Sequence, residues 1–554
     1  MLFLITVFFS FIAVVFATPL LTNLLSSLEI VDTPDNNRKI HSEPIPRMGG
    51  IIIYSVVVLF LIFLFPTIYK FFLLGSLILF LSGVADDLWN LKWYIKLFFQ
   101  SISASFLIIF LMRHNYFHFN FMGLDLPTLF VLPIIFLFIV GTLNAFNMMD
   151  GMDGLVSGFS LIIASLSFLL SFSSDSLFVP LLSILIIGTT LGFLKFNGNP
   201  ASIFLGDSGS LILAYFCLTI LLSATSETSN HKIDLAFVGI VLSIPVLDTL
   251  RVIVCRIKNR RNPFLPDKNH LHHIIYSRKI RHKTTVFIIL SLTIISALIA
   301  LYYKFSSQFF GFLLFILFSV FLLFFDKVID LIIQKENLMF YGRMVKSLPT
   351  KLAGIFKFYI LPFMTFLVFS FMSYLLMNKV SSDDQQIIYL LIFNFLTMAY
   401  VFVNLKGKNY MSDFFVFVNF VIFFYTTGSG NLFYKLYHIP LINYINLNQL
   451  FILLVVPVIV FYFLFRDKLV DNHQKETLAG IDLILALAII SNYLFLKFSG
   501  IANEYYFLAD ILIRSFLVYL LYKIIIGCYP KFRFQLYFTS YIIVIIALLR
   551  IIVL

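Results

Sequence analysis

The chain has 554 residues and a formal net charge of +12, with 61% of its residues hydrophobic and only 12% charged. So little polar surface could not cover a water-soluble fold, and no nucleic-acid partner is expected. Apolar stretches of about 20 residues, the length that carries a helix across hydrocarbon, recur throughout, and the long Phe, Leu and Ile runs lack the two-residue alternation of an outer-membrane barrel. The expected class is therefore an all-α polytopic membrane protein in contact with a lipid bilayer. Its three cysteines, Cys217, Cys255 and Cys528, have no paired spacing and read as packing residues.

The first segment, MLFLITVFFSFIAVVFATPLL, has no Lys or Arg before its apolar run and is long enough to span, so it reads as a retained helix rather than a secretory signal. The basic loop behind it, with Arg38, Lys39 and Arg47, places the N-terminus outside. Further helices are expected near residues 51–65, 71–85, 95–112, 127–143, 155–171, 178–194, 204–222, 235–255, 285–303 and 308–325. Strict alternation then sends the connections 22–50, 86–94, 144–154, 195–203 and 256–284 inward. The last of these carries nine Lys or Arg between Arg256 and Lys283 against the single acid Asp267, and the opposite loops hold little beyond Lys70, Arg113, Lys232 and Lys304. That asymmetry marks the inward side as cytoplasmic.

Four polar clusters fall on or beside those inward connections. Asp86 and Asp87 end an apolar helix, where adjacent carboxylates repel unless a cation compensates them, and Lys92 and Lys96 follow closely. The run NAFNMMDGMDGL carries Asn144, Asn147, Asp150 and Asp153, an oxygen-rich set suited to a hard cation. Its bland alternative is a polar interhelical turn. FNGNPASIFLGDSGSL places Phe204 three residues ahead of Asp207, with small residues that let phosphate or metal approach the backbone. NPFLPDKNHLHH offers His270, His272 and His273. Adjacent histidines seldom face one metal, and no Cys lies near, so binding of a diphosphate or a sugar suits them better than zinc.

These stretches, with RKIHSEPIPRMGG and GVADDLWNLKWYIK, resemble in order and spacing the polyprenyl-phosphate N-acetylhexosamine-1-phosphate transferase family (glycosyltransferase family 4). The resemblance covers residues 1–327, an expected transferase domain of about eleven spans. It implies transfer of a sugar 1-phosphate from a UDP-N-acetylhexosamine to undecaprenyl phosphate with release of UMP, using Mg²⁺ or Mn²⁺ as its substitute. Carried onto this sequence, it implies that Asn147 and Asp207 are metal ligands, that Asp150 and Asp153 contact the nucleotide side, and that Phe204 stacks on uracil. It further implies that Asp86 and Asp87 form the acidic pair near the lipid phosphate, that Lys96 binds phosphate, and that His270, His272 and His273 recognise the sugar. Arg47 and Asn144 lie in the matching motifs as substrate-side residues. The His-x-His-His form is similar to the WecA branch, which implies UDP-N-acetylglucosamine as donor. Asn90 stands where the family often carries an acid.

Residues 328–554 form a second expected membrane domain of about seven spans, opening with a basic, amphipathic stretch around Lys335, Arg343, Lys346 and Lys351. No catalytic constellation is visible there. His438, Tyr434 and Tyr437 read as interfacial anchors. The expected setting is a bacterial cytoplasmic membrane with the site facing the cytoplasm, and downstream glycosyltransferases or a second copy of the chain are candidate partners. Two other activities compete with the first: a UDP-muramyl-peptide phosphotransferase and a cation-coupled secondary transporter.

Overall fold

The computed structural model describes residues 2–32, 44–64, 69–114, 116, 118–171, 176–227, 232–260, 269–278, 280, 282–334, 355–364, 410–427, 503–529 and 533–553, with scattered residues between 368 and 462. Asp267, Lys268, the basic stretch from Lys335 to Lys351, and His438 lie outside the described residues. One compact unit takes in Met1–Leu331; a second takes in the described residues of Ile332–Ala479 and Ile501–Leu554.

In the first unit the helices are α1 (Leu2–Ser27), α2 (Gly50–Leu64), α3 (Lys70–Trp89), α4 (Trp93–Arg113), α5 (Thr128–Met149), α6 (Leu155–Ser171) and α7 (Phe178–Asn197). They continue with α8 (Gly206–Glu227), α9 (Leu235–Val241), α10 (Ser243–Lys258), α11 (Leu271–Ser277), α12 (His282–Phe305), α13 (Gln308–Leu323) and α14 (Phe325–Gln334), whose last three residues fall in the second unit. Among the described residues of the whole chain, eight helices are long and apolar enough to cross a membrane, or nine if the pair α9 and α10 is one broken span. The protein is an all-α multi-pass membrane protein. Short strands decorate it: β1 (Val31–Asp32) pairs with β2 (Ile45–Pro46), and β3 (His118–Phe121) lies between antiparallel β4 (Leu124–Leu126) and parallel β5 (Lys232–Asp234).

α8 is the axis of the unit. Its span is buried, packed by α2, α3, α5, α6 and α7, while Gly206 and Asp207 at its N-terminus are half-buried. Helices in lipid gain little from apolar contact alone and pack closely where side chains are small. α1 meets α7 in this way, through Gly188 and Gly192: a Cβ on Gly188 would fall 2.7 Å from the Val7 carbonyl oxygen, and one on Gly192 2.9 Å from that of Phe11.

The structure departs from the sequence expectation in where three helices end or break. α3 runs through Asp86 and Asp87 to Trp89 and stops at Asn90, whose left-handed conformation (φ 49°) closes the helix. α5 likewise continues through Asn144 and Asn147 to Met149. Polar residues were expected in connections, but these acids and amides stay helical because partners on α4 and α8 compensate them. The expected span over 235–255 is bent by 77° between α9 and α10. Pro245 lies just past the break, where it removes a backbone donor and disfavours a helical residue before it.

In the second unit, helices Tyr410–Thr427, Asn503–Cys528 and Arg533–Val553 are joined by aromatic contacts, among them Phe417 with Tyr519 (5.6 Å between ring centroids) and Tyr522 with Tyr537 (5.8 Å). Buried Arg514 lies over the Phe424 ring, and Asn394 Nδ2 donates to Asn419 Oδ1 at 3.0 Å. Of the spans expected in this half, Ile511–Cys528 meets the length and hydropathy of a crossing helix among the described residues.

Replacing Gly188 by Ala is expected to overpack the α1–α7 contact and cost about 1–3 kcal/mol. The check is thermal unfolding in detergent: the variant should melt lower than the parent.

Candidate active site

The site is assembled at one end of α3, α4, α5 and α8. Asp87, on the last turn of α3, aims its carboxylate at the start of α8: Oδ1 accepts the amide of Asp207 at 2.9 Å and Oδ2 that of Ser208 at 3.1 Å. Those amides have no partner inside their own helix, so a carboxylate from a neighbouring helix caps them and complements the helix dipole. The approach is close enough to require glycine at 206. Its φ is +76°, and a Cβ there would fall 2.7 Å from Asp87 Oδ2.

Asp207, oriented by that cap, extends from the first turn of α8. Lys96 Nζ donates to its Oδ2 at 3.0 Å and also forms an ion pair with Asp86. Asn147 Nδ2 donates to the same Asp207 oxygen at 3.2 Å, while Asn147 Oδ1 accepts the Ser210 hydroxyl at 2.8 Å. Asp86 Oδ1 also accepts the Leu91 amide at 2.7 Å. Asp86, Lys96, Asn147 and Asp207 are thus one network, with Asp87 holding it from behind. Asn144 stands one turn earlier on α5 and exchanges hydrogen bonds with Gln100, its Nδ2 donating to Gln100 Oε1 at 2.8 Å.

The loop after α5 carries the other two acids. Asp153 is tied down: its Oδ2 accepts Asn199 Nδ2 at 2.8 Å and the Ala201 amide at 3.3 Å, and its own amide donates to His282 Nε2 at 3.3 Å. Asn197 Oδ1 accepts the amide of Gly154 at 3.1 Å. Asp150 lies free of such ties, and burial, then the charges of Asp207, Asp87 and Asp153, push its carboxyl well above the ordinary range. A cluster of carboxylates that raises its own protonation in this way accommodates a cation readily. Its oxygen donors, with the Asn147 amide, have the hard chemistry that suits Mg²⁺. Among the described residues no three His, Cys, Asp or Glu are grouped to hold a metal ion by themselves.

The histidines arrive from the other side on α11. His270 Nδ1 lies 2.9 Å from Asp248 Oδ2, where the ring N–H donates to the carboxylate, and the Leu271 amide donates to Asp248 Oδ1 at 2.9 Å. Arg251 bonds both Asp248 and the Asn269 carbonyl. His272 packs straight onto Gly151: a Cβ at that position would collide with its imidazole. Burial, with the neighbouring His273, drives the His272 pKa down to about 3, so the ring is neutral at physiological pH and offers hydrogen bonds rather than charge. His273 lies beside it, ring centroids 4.2 Å apart.

Phe204 is held through its backbone. Its amide donates to Pro46 at 2.8 Å and its carbonyl accepts Gly49 at 2.9 Å, which brings Arg47 to the same edge with a buried Nε that has no hydrogen-bond partner. Sequence reasoning missed Asp248, Arg251, Asn197, Asn199 and His282. An acid within an apolar segment is itself a functional signal and could have found Asp248; His282 sits at the foot of α12 with no local signature.

A model of glycosyl transferase family 4 matches residues 69–225, which hold α3 to α7 and nearly all of α8. The chain is 30% identical over 344 residues to a probable undecaprenyl-phosphate N-acetylglucosaminyl 1-phosphate transferase of Bacillus subtilis, covering 61% of this chain and 95% of that one. The chain belongs to glycosyl transferase family 4. Another relative in this family, an undecaprenyl-phosphate alpha-N-acetylglucosaminyl 1-phosphate transferase of Thermotoga maritima, is 32% identical over 52% of this chain and 87% of its own. A decaprenyl-phosphate N-acetylglucosaminephosphotransferase of Mycobacterium leprae is 32% identical over 50% and 77%.

Two outcomes are expected. Asp87→Asn sets an amide N–H₂ against one α8 amide and should lower the rate of the family reaction about tenfold, the effect of losing about 1.4 kcal/mol of charge-assisted capping, while the protein still folds by circular dichroism. His272 is neutral when folded down to about 3 but takes up a proton near 6.5 when unfolded, so the unfolded state binds more protons as pH falls through that window and stability drops. His272→Gln should flatten the fall in melting temperature between pH 6.5 and 5.

Proposed function

We propose that the chain transfers N-acetylglucosamine 1-phosphate from its UDP-sugar to undecaprenyl phosphate, forming the lipid diphosphate-sugar and UMP. The observation that carries this reading is the network in which Lys96 joins Asp86 to Asp207, beside Asn147, with Asp87 capping α8 behind it. The activities for which the Bacillus and Thermotoga relatives are named agree with it.

In this reaction an acceptor phosphate oxygen attacks the β-phosphorus of the donor, the bond from that phosphorus to the α-phosphate oxygen breaks, and UMP leaves with the electron pair. Both reactants are anionic, so the protein must lower their mutual repulsion. Lys96, held between two carboxylates, brings a fixed positive charge to the place where they meet. The phosphate monoester, with a second pKa near 6, is largely ionised at neutral pH, so neither Asp86 nor Asp87 needs to remove a proton. Asp207 and Asn147 would hold Mg²⁺, which when bound neutralises the diphosphate and the charge that develops on the leaving group. Arg47 presents a guanidinium donor at the Phe204 edge, where uracil would stack. α11 presents neutral His272 and its neighbours to the sugar.

The site faces the cytoplasm of a bacterial cell in this reading, supported by the nine basic residues that the sequence carries between Arg256 and Lys283. A cytoplasmic face is also where UDP-sugars are available.

Purified protein given UDP-N-acetylglucosamine, undecaprenyl phosphate and Mg²⁺ should release UMP, and chelation with EDTA should stop it. Asp207→Ala should reduce that release about a hundredfold or more, the scale of losing one electrostatic stabiliser. UMP release independent of added lipid phosphate, or equal rates in Asp207→Ala and parent, would overturn the assignment.

A further inference from the structure

α11 is short, and a helix of two turns does not hold its own position. Its N-terminal end is fixed by α10 through the Asp248 contacts to His270 and Leu271. Its C-terminal end is fixed by α14. Arg278, the residue that closes α11, directs its guanidinium onto Asp330 with both prongs, Nε to Oδ1 at 2.5 Å and Nη2 to Oδ2 at 2.7 Å. The same guanidinium donates Nη1 to the Ile274 carbonyl of α11 at 2.8 Å and Nη2 to the Asp326 carbonyl of α14 at 3.3 Å. One side chain therefore ties a carbonyl of the last turn of one helix to two points on another.

α14 is suited to be an anchor. It leaves α13 at Phe324 and is amphipathic, with Phe325 and Ile329 buried and Asp326 and Asp330 on the polar side. A helix of that pattern rests at a membrane surface with its apolar face inward. Between its two attachments, α11 presents His272 against Gly151, directly beside Asp150. A shift at either end changes how far the imidazoles reach toward the loop that meets the donor.

We propose that Arg278 and Asp330 are positioning residues for the donor sugar: their two-pronged pair holds the C-terminal end of α11 and so sets the depth of His272 and His273 in the site. This rests on the reading of the reaction given above. A partly exposed ion pair contributes little to overall stability, and the Asp330 side chain is 49% exposed. The pair's consequence is therefore expected in donor recognition rather than in folding.

The experiment is steady-state kinetics on the full chain in detergent, with UDP-N-acetylglucosamine and undecaprenyl phosphate varied separately, for the parent, Asp330→Asn, Asp330→Glu and Arg278→Lys. Asp330→Asn and Arg278→Lys, which each break the two-pronged geometry, should raise the donor KM about three- to tenfold. Their kcat and acceptor KM should stay within about twofold of the parent. Asp330→Glu, which keeps the carboxylate, should recover most of the donor affinity. Amide hydrogen exchange in α11 should quicken in Asp330→Asn. A donor KM unchanged in Asp330→Asn, or a fall in kcat with both KM values untouched, would overturn the clasp while leaving the reaction standing. A parent protein that makes no UMP would instead sink the reaction; unchanged α11 exchange in Asp330→Asn would then decide against the clasp as well.

Discussion

The site depends on one compensation: a carboxylate at the end of α3 satisfies the open N-terminus of α8. Asp87 supplies both oxygens to consecutive amides, and everything that follows in α8 inherits its orientation from that cap. Charge buried near the edge of a bilayer is costly unless paired. Here the pairing is serial, from Asp86 to Lys96 to Asp207 to Asn147 to Ser210, so each group is both constrained and a constraint. A network of this kind favours one geometry over the many that apolar helices alone would permit.

That geometry divides labour among residues of the same chemical type. Asp87 and Asp153 are held by backbone and amide donors and act as struts, one under α8 and the other under the loop between α5 and α6. Asp207 instead meets side chains, those of Lys96 and Asn147, and Asp150 is not tied in the way Asp153 is. Among the histidines, His270 is turned to Asp248, whereas His272 reaches the acidic loop. Composition cannot make this distinction, because a strut and a ligand use the same carboxylate.

Much of the fold was legible in the sequence because hydrophobicity and span length leave few arrangements open in a membrane. The segments expected from residue 51 to residue 325 correspond to helices in the structure. What the sequence hid was local. It placed Asp86, Asp87, Asn144 and Asn147 in connections, since polarity at the end of an apolar run reads as a loop; the structure keeps them helical because their partners lie on other helices. The break between α9 and α10 was missed because the apolar run continues across it, although Pro245 marks it. The grouping of the motifs was visible from topology, but the tie between Asp153 and His282 joins positions too far apart for any local pattern to disclose.

The spacing of these partners along the chain carries a consequence for biogenesis. Lys96 follows Asp86 by only ten positions, so the first acid meets its counter-charge as soon as α4 enters the membrane beside α3. Asp87 has no such early companion; the amides that receive it belong to residues 207 and 208. While α4 to α7 emerge from the ribosome, α3 must keep that carboxylate at the headgroup boundary, where water can solvate it. The last turn of α3 is therefore placed for insertion as much as for chemistry, and α8 is the keystone whose arrival lets the acid leave the solvent.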